Sequence, residues 1–310
     1  MRAGSSERCE ARRVTSAEHA IREAAMAWLD ARPSVVVDYQ FASEFTFGGE
    51  RIALMDRGRG IRKPASMSAA LSIQTAFHRP GGERPYQDDI GPDGLQRYKY
   101  EGSDPNFYTN VALRRARELD VPIIWFFGVA EARYEPIYPV WVIGEEPGQH
   151  QFVLALDPLQ RLVQPNQSAE ESSRRYVERT TKQRLHQRVF RSQVLAAYET
   201  RCAVCNLGHA SLLDAAHIVP DDRPNGEPVI PNGLALCKIH HAAFDSNILG
   251  IRPNLTLHIR QDILDEIDGP MLRHGLQDMH DQSLMHIPSR KWARPDPARI
   301  EERYEEFLAG

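Results

Sequence analysis

The sequence predicts a mixed α+β fold in two domains, and three observations carry that prediction. Up to about residue 165, short apolar, β-branched and aromatic runs alternate with isolated helical stretches. A polar break, NQSAEESSRR at 166–175, then ends the pattern. Beyond it, cysteines and histidines crowd into a stretch that reads as strand, loop, strand and helix. A chain of 310 residues allows about two domains of ordinary size. Its 42% hydrophobic and 26% charged residues are those of a water-soluble chain with buried cores.

The bulk numbers exclude several classes. No apolar run is long enough to span a bilayer, and the start, MRAGSSERCEARRV, lacks the apolar centre of a signal peptide. The expectation is a cytoplasmic protein that meets no membrane. A net charge of −4 argues against a generally basic coat and leaves room for a local basic patch. Of the four cysteines, Cys202, Cys205 and Cys237 share one region and Cys9 stands alone. In a cytosolic chain that clustering reads as metal ligation rather than a disulfide framework.

Residues 1–15 are expected to be disordered. SAEHAIREAAMAWLDAR (16–32) has helical periodicity, with Ser16 as a candidate N-cap. FTFGGERIAL predicts a hairpin turning at Gly48-Gly49. VPIIWFFGV and YPVWVIG predict buried strands, preceded by one helix, TNVALRRARELD. After the polar break, RRYVERTTKQRLHQRVFRSQVLAAYETR places Leu185, Val189, Val194 and Tyr198 at roughly helical spacing. Residues 174–191 hold six arginines and one lysine against one glutamate. That helix either presents a solvated face or contacts phosphates, with Arg184, Arg188 and Arg191 as the candidates. The boundaries expected are 16–165 for the first domain, 166–198 for linker and basic helix, and 199–310 for the second domain with a helical C-terminal extension.

The densest chemistry lies in that second domain. Cys202-Ala-Val-Cys205 is a C-x2-C pair and Cys237-Lys-Ile-His240 is a matching C-x2-H pair. Two such turns supply the four ligands of a tetrahedral, structural Zn²⁺. The second pair runs straight on into His241 and Asp245, four residues apart and so on one face of a helix. This crowding implies a second metal, and a carboxylate oxygen there suits Mg²⁺ or Mn²⁺. SLLDAAHIVP and NGLALC, between the pairs, read as strands.

Together these segments resemble the HNH, or ββα-metal, nuclease family in its zinc-bound form. The resemblance implies that His217 of AAHIVP is the general base and that Asn232 of NGLALC orients it. It also implies that His241, with Asp245 in place of a last histidine, holds the catalytic divalent ion. Many members carry an acidic residue or histidine immediately before the base, where this chain has Ala216. Asp214, two positions earlier and on the same strand face, is the candidate replacement, or else it orients a histidine or caps the turn. HQRVFRSQVLAAYETRCAVC and DGPMLRHGLQDMHDQSLMHIP extend the resemblance over roughly 175–310. His258, His274, His280 and His286 match no family role and read as surface or packing residues.

Upstream, GIRKPASMSAALSIQTAF and YQDDIGPDGLQRYKYEGSDPNFYTNVALRRARELDVPIIWFFGV are similar to the SRA domains, PUA-like β-barrels that flip a modified base out of DNA. The resemblance implies such a barrel with flanking helices. A flipped base needs aromatic faces and hydrogen-bonding edges, and Tyr86, Asp88, Asp89, Tyr98, Tyr100 and Phe107 are the candidates. The same aromatics would otherwise be barrel core. The expected function is a modification-dependent restriction endonuclease of bacterial defence, acting on double-stranded DNA that carries modified cytosine. A type II enzyme reading unmodified sequence is the close variant, and a non-catalytic, zinc-stabilised DNA-binding module is the competing class. Double-strand cutting by a single-site nuclease implies a homodimer, whereas nicking needs only a monomer.

Overall fold

Helix α1 (Ser16–Asp30) forms on the alanine-rich stretch and buries Ile21, Ala25 and Leu29, positions four apart on one face. These side chains meet Leu54, Leu71, Ile124 and Phe126 in one core cluster. The computed structural model describes residues 16–32, 36–78, 90–162 and 171–310. The disorder expected for 1–15, and the candidates Tyr86, Asp88 and Asp89, lie outside the described residues. The chain divides into two compact units, Met1–His186 and Gln187–Gly310, and is mixed α+β. No helix among the described residues is long and apolar enough to cross a membrane.

In the first unit, α2 (Tyr39–Ala42) is capped by the Asp38 carboxylate, which accepts from the Phe41 amide at 2.9 Å. The hairpin of β1 (Thr46–Phe47) and β2 (Glu50–Arg51) turns at Gly48 and Gly49, with φ of +59° and +84°. Positive φ at both central positions is what a two-residue hairpin of the primed type demands. The remaining strands are β3 (Ile61–Arg62), β4 (Ser72–Thr75), β5 (Gln96–Lys99), β6 (Ile123–Ala130), β7 (Arg133–Glu146) and β8 (Gln151–Ala155). They form one six-stranded sheet in the order β3-β4-β6-β7-β8-β5. Only the β4–β6 pair is parallel.

Strand β7 turns the corner of this sheet. Its first part pairs with β6 and its second part, from Trp141 on, pairs with β8. The register shifts in both ladders, and such shifts bend a strand. The Tyr98 hydroxyl on β5 donates to the carbonyls of Gly60 (2.8 Å) and Gln74 (3.1 Å), so a side chain links the two ends of the curled sheet. Among the described residues no ladder joins β3 to β5, so the strands form a curled, open sheet and not the closed barrel expected. Helix α3 (Tyr108–Glu118) buries Ala112, Leu113 and Ala116.

The single long helix expected after the polar break is interrupted. Helix α4 (Glu171–Thr181) belongs to the first unit, where Val177 packs with Leu95 and Val153 and the Thr181 hydroxyl donates to the Gly94 carbonyl at 3.2 Å. A π-helical turn (Lys182–Gln187) follows, and α5 (Arg188–Ala197) opens the second unit. The apolar stripe thus serves two cores, and π-turns are where a helix changes phase. The second unit continues with β9 (Leu213–His217) and β10 (Gly233–Cys237), an antiparallel pair in which His217 faces Gly233 and Leu213 faces Cys237. Next come α6 (Lys238–Asp245), the hairpin β11 (Leu249–Ile251) and β12 (Leu257–Ile259), and the short helices α7 (Gln261–Asp265) and α8 (Pro270–Gly275). Helix α9 (Pro297–Ala309) closes the chain, capped by Asp296, which accepts from the Ala298 and Arg299 amides.

Gly128 on β6 is pressed against the end of β4. A Cβ there would stand 2.4 Å from the Phe77 nitrogen and 2.6 Å from the Thr75 carbonyl oxygen, both backbone atoms that cannot swing away. Gly128→Ala should therefore destabilise the first unit by about 1–3 kcal/mol, read as a lower denaturant midpoint. Gly58→Ala, where the nearest atom is a side-chain oxygen at 3.9 Å, is the control that should leave the midpoint in place.

Candidate functional site

Cys202, Cys205, Cys237 and His240 converge: their donor atoms all lie within 4.8 Å of one another, the only such group among the described residues. The Cys205 and Cys237 sulfurs are 3.9 Å apart, and His240 Nδ1 lies 3.1 Å from Cys237 Sγ and 3.6 Å from Cys202 Sγ. A tetrahedron with Zn–S of about 2.3 Å has edges of about 3.8 Å, so the donor set fits zinc. The other imidazole nitrogen, Nε2, lies 2.7 Å from the Gly275 carbonyl. A carbonyl only accepts, so Nε2 carries the proton and Nδ1 is left to ligate. Contacts with Cys202 and Cys205 pull the Cys237 thiol far down against the effect of burial.

His217 ends strand β9. Its imidazole stacks on the Phe190 ring of α5, with centroids 4.1 Å apart and planes 17° from parallel. Asn232 is fully buried. Its side chain accepts from the Val219 amide (2.9 Å) and donates to the carbonyls of Val219 (2.9 Å) and Glu227 (3.1 Å). It therefore holds the backbone that leaves His217. On α6, His241 stands between two carboxylates: Nδ1 is 3.9 Å from Asp214 and Nε2 is 3.3 Å from Asp245. Asp245 is largely exposed. The two carboxylates face opposite nitrogens of the ring, so the structure does not bring His241, Asp214 and Asp245 together around one point as it does the Cys3His group.

Asp214 is also an ion-pair hub. It accepts from Arg191 Nε at 3.0 Å and from the Lys238 ammonium. Burial alone would raise its pKa, but these two cations hold it below the usual carboxylate range. Arg191 donates further to the Ala210 (3.1 Å) and Leu213 (2.7 Å) carbonyls, which pins it to the entrance of β9. Arg188 is half-buried, and the Arg184 side chain lies outside what the structure describes. Sequence reasoning missed Phe190 and Lys238; each is adjacent to a residue that it did single out, and only the fold turns them toward the site.

Residues 202–252 match the family model described as HNH endonuclease. This segment is an HNH endonuclease domain. Among solved structures, the chain is similar to a modification-dependent restriction endonuclease, TagI, at 18% identity and a TM-score of 0.28, over 80% of this chain and 85% of that one. It is also similar to the Type IV phosphorothioation-dependent restriction endonuclease ScoMcrA, at 13% identity and a TM-score of 0.21, over 78% of this chain and 59% of that one. No curated protein matches the chain.

The HNH segment lies within the second unit; the first unit carries a cavity of about 520 Å³. Tyr39, Arg57, Arg59, Gln74, Lys99 and Tyr134 line it together with the candidates Tyr98 and Tyr100. Both candidates are buried and commit their hydroxyls internally: Tyr98 as above, and Tyr100 as donor to Glu145. Burial, aided by that carboxylate, pushes the Tyr100 phenol up to about 12. Phe107 is not among the lining residues; the Arg59 guanidinium lies 5.2 Å above its ring and pairs with Glu101 at 2.8 Å. His258 is bonded to Tyr304 at 2.8 Å and His280 accepts from the Ile259 amide, while His274 pairs with Asp278 at 2.7 Å on the surface.

The neighbouring histidines of α6 should separate by metal. Cys202→Ser and Cys237→Ser should lose zinc and melt at lower temperature, since a structural metal contributes directly to folding free energy. His241→Ala should keep its zinc. Elemental analysis of the purified variants checks both, and loss of zinc from His241→Ala would merge the two sites into one.

Proposed function

We propose that the chain is a restriction-type DNA endonuclease in which the HNH domain hydrolyses phosphodiester bonds and the first unit reads the DNA. The observation that carries this is the set His217, Asn232 and His241 standing beside a complete Cys3His group. A zinc-stabilised scaffold would need the four ligands and nothing more. His217 takes the proton from the attacking water, work suited to an imidazole whose ordinary pKa is about 6.5. Asn232 sets the backbone on which that imidazole rides. His241 and Asp245 would hold Mg²⁺ or Mn²⁺, with Asp214 across the ring from Asp245, and a bound ion would supply charge neutralisation at the scissile phosphate and leaving oxygen. Zinc serves folding, because protein fills all four of its positions.

For the first unit, the SRA-type reading is supported by a cavity with aromatic walls and with Arg57, Arg59 and Lys99 among its lining residues. In that reading the double-stranded DNA partner carries modified cytosine, and a homodimer makes the double-strand cut. The internal bonds of the Tyr98 and Tyr100 hydroxyls favour a second reading, in which these rings are packing residues and the enzyme reads unmodified sequence.

His217→Ala should lower cleavage by about 10²–10⁴ while zinc content and DNA binding stay near wild type. An active His217→Ala enzyme would remove the base assignment. Matched plasmids that are unmodified, 5-methylcytosine-modified or hydroxymethylated separate the two readings: preferential cutting of a modified one supports the reader, and equal cutting of all three leaves the type II reading. Charge reversal at Arg184 and Arg188 should weaken binding about equally on all three plasmids, as expected of contacts to phosphate rather than to bases.

A further inference from the structure

We propose that Phe190 is a positioning residue for the general base: its ring is the seat that sets the plane of the His217 imidazole. This rests on His217 being that base. The imidazole lies nearly parallel to the Phe190 ring at 4.1 Å, and Phe190 is only 2% exposed. A stacked ring holds an imidazole by its face, restraining rotation about the Cβ–Cγ bond. The stacked face itself makes no hydrogen-bonding claim on the ring nitrogens.

The seat is itself fixed on both strands of the hairpin. Gly233 is the cross-strand partner of His217. A Cβ on Gly233 would stand 3.0 Å from Phe190 Cζ and 2.3 Å from Val194 Cγ2, so α5 approaches β10 as closely as only a glycine permits. The residue after Phe190, Arg191, is bonded to Asp214 and to the Ala210 and Leu213 carbonyls at the start of β9. Beyond the other end of α5, the Tyr198 hydroxyl donates to the Gly233 carbonyl at 3.3 Å. Ties to β9 through Arg191 and to β10 through Tyr198 hold the helix, and with it Phe190, in place against the hairpin. Val194 packs on the same glycine from the same helix, which makes it the internal control for packing without stacking.

Full-length protein with isotope-labelled histidine tests the contact directly. The ring protons of His217, assigned by their disappearance in His217→Ala, should be shifted by the Phe190 ring current and should move back in Phe190→Leu. In cleavage assays Phe190→Leu should lower kcat by about 10- to 100-fold, the range expected of a misplaced catalytic group, with KM and DNA binding near wild type. Val194→Ala should destabilise the same helix and leave kcat near wild type. Phe190→Met, longer and better able to fill the gap, replaces Phe190→Leu if the latter loses zinc. Unshifted His217 resonances, an unchanged kcat in the Phe190 variant, or an equal loss in Val194→Ala would each overturn the proposal. His217→Ala run alongside separates the two failures. An active His217→Ala removes the base itself, whereas an inactive His217→Ala beside a fully active Phe190→Leu removes only the seat.

Discussion

Cys202 and Cys205 lie before the β9–β10 hairpin, and Cys237 and His240 lie at its end and on the helix that follows, so a metal bound to all four ties together both ends of the segment that carries His217 and Asn232. The two strands of this hairpin are five residues each, too short a ladder to be stable alone. Coordination by the four residues would supply what the ladder lacks. It also sets the rotation of α6. With His240 Nδ1 turned to the sulfurs and Nε2 bound to the Gly275 carbonyl, the next residue must emerge about 100° further round the helix. That is how His241 comes to face Asp214 and Asp245 instead of the thiolates.

The electrostatics around Asp214 follow from the same arrangement. One carboxylate on β9 meets Arg191 of α5 and Lys238 of α6, so a single group joins the strand to the helices before and after it. With Asp245 on the other side of His241, two cations and two carboxylates balance around that imidazole.

In the first unit the comparable constraint is the corner in β7. Because that strand changes partner part-way along, β5 is carried round until Tyr98 reaches the carbonyls near β3 and β4. A buried ion network braces this end of the sheet: Arg97 pairs with Asp93 and Glu146, both at 2.8 Å. Removing one partner would leave a buried charge uncompensated, a large cost that favours one sheet geometry. The cavity lies within this curl, and its lining residues come from segments far apart in sequence.

Much of this was legible in local sequence. Gly48-Gly49 announced a two-residue turn because no other residue pair takes two positive φ values so readily. The matched C-x2-C and C-x2-H spacings announced a metal site because they place pairs of soft ligands on single turns, and the spacing of His241 and Asp245 announced a shared helical face. The apolar runs around 121–144 announced strands, though not that β7 begins at Arg133 and bends. Other features depend on contacts that no local window contains. The stripe of Leu185, Val189 and Val194 looks like one helix, and only packing against separate cores divides it at Lys182–Gln187. Arg191 reads as a free cation in a basic run; in the fold it is bonded to Asp214 and two carbonyls. Sequence by itself determined which residue types are present and at what local spacing, because helix and strand periods are short-range properties of the backbone. Tertiary structure alone decided that Phe190 meets His217 and that Asn232 grips Val219, because those contacts depend on how strands and helices pack across gaps in the sequence.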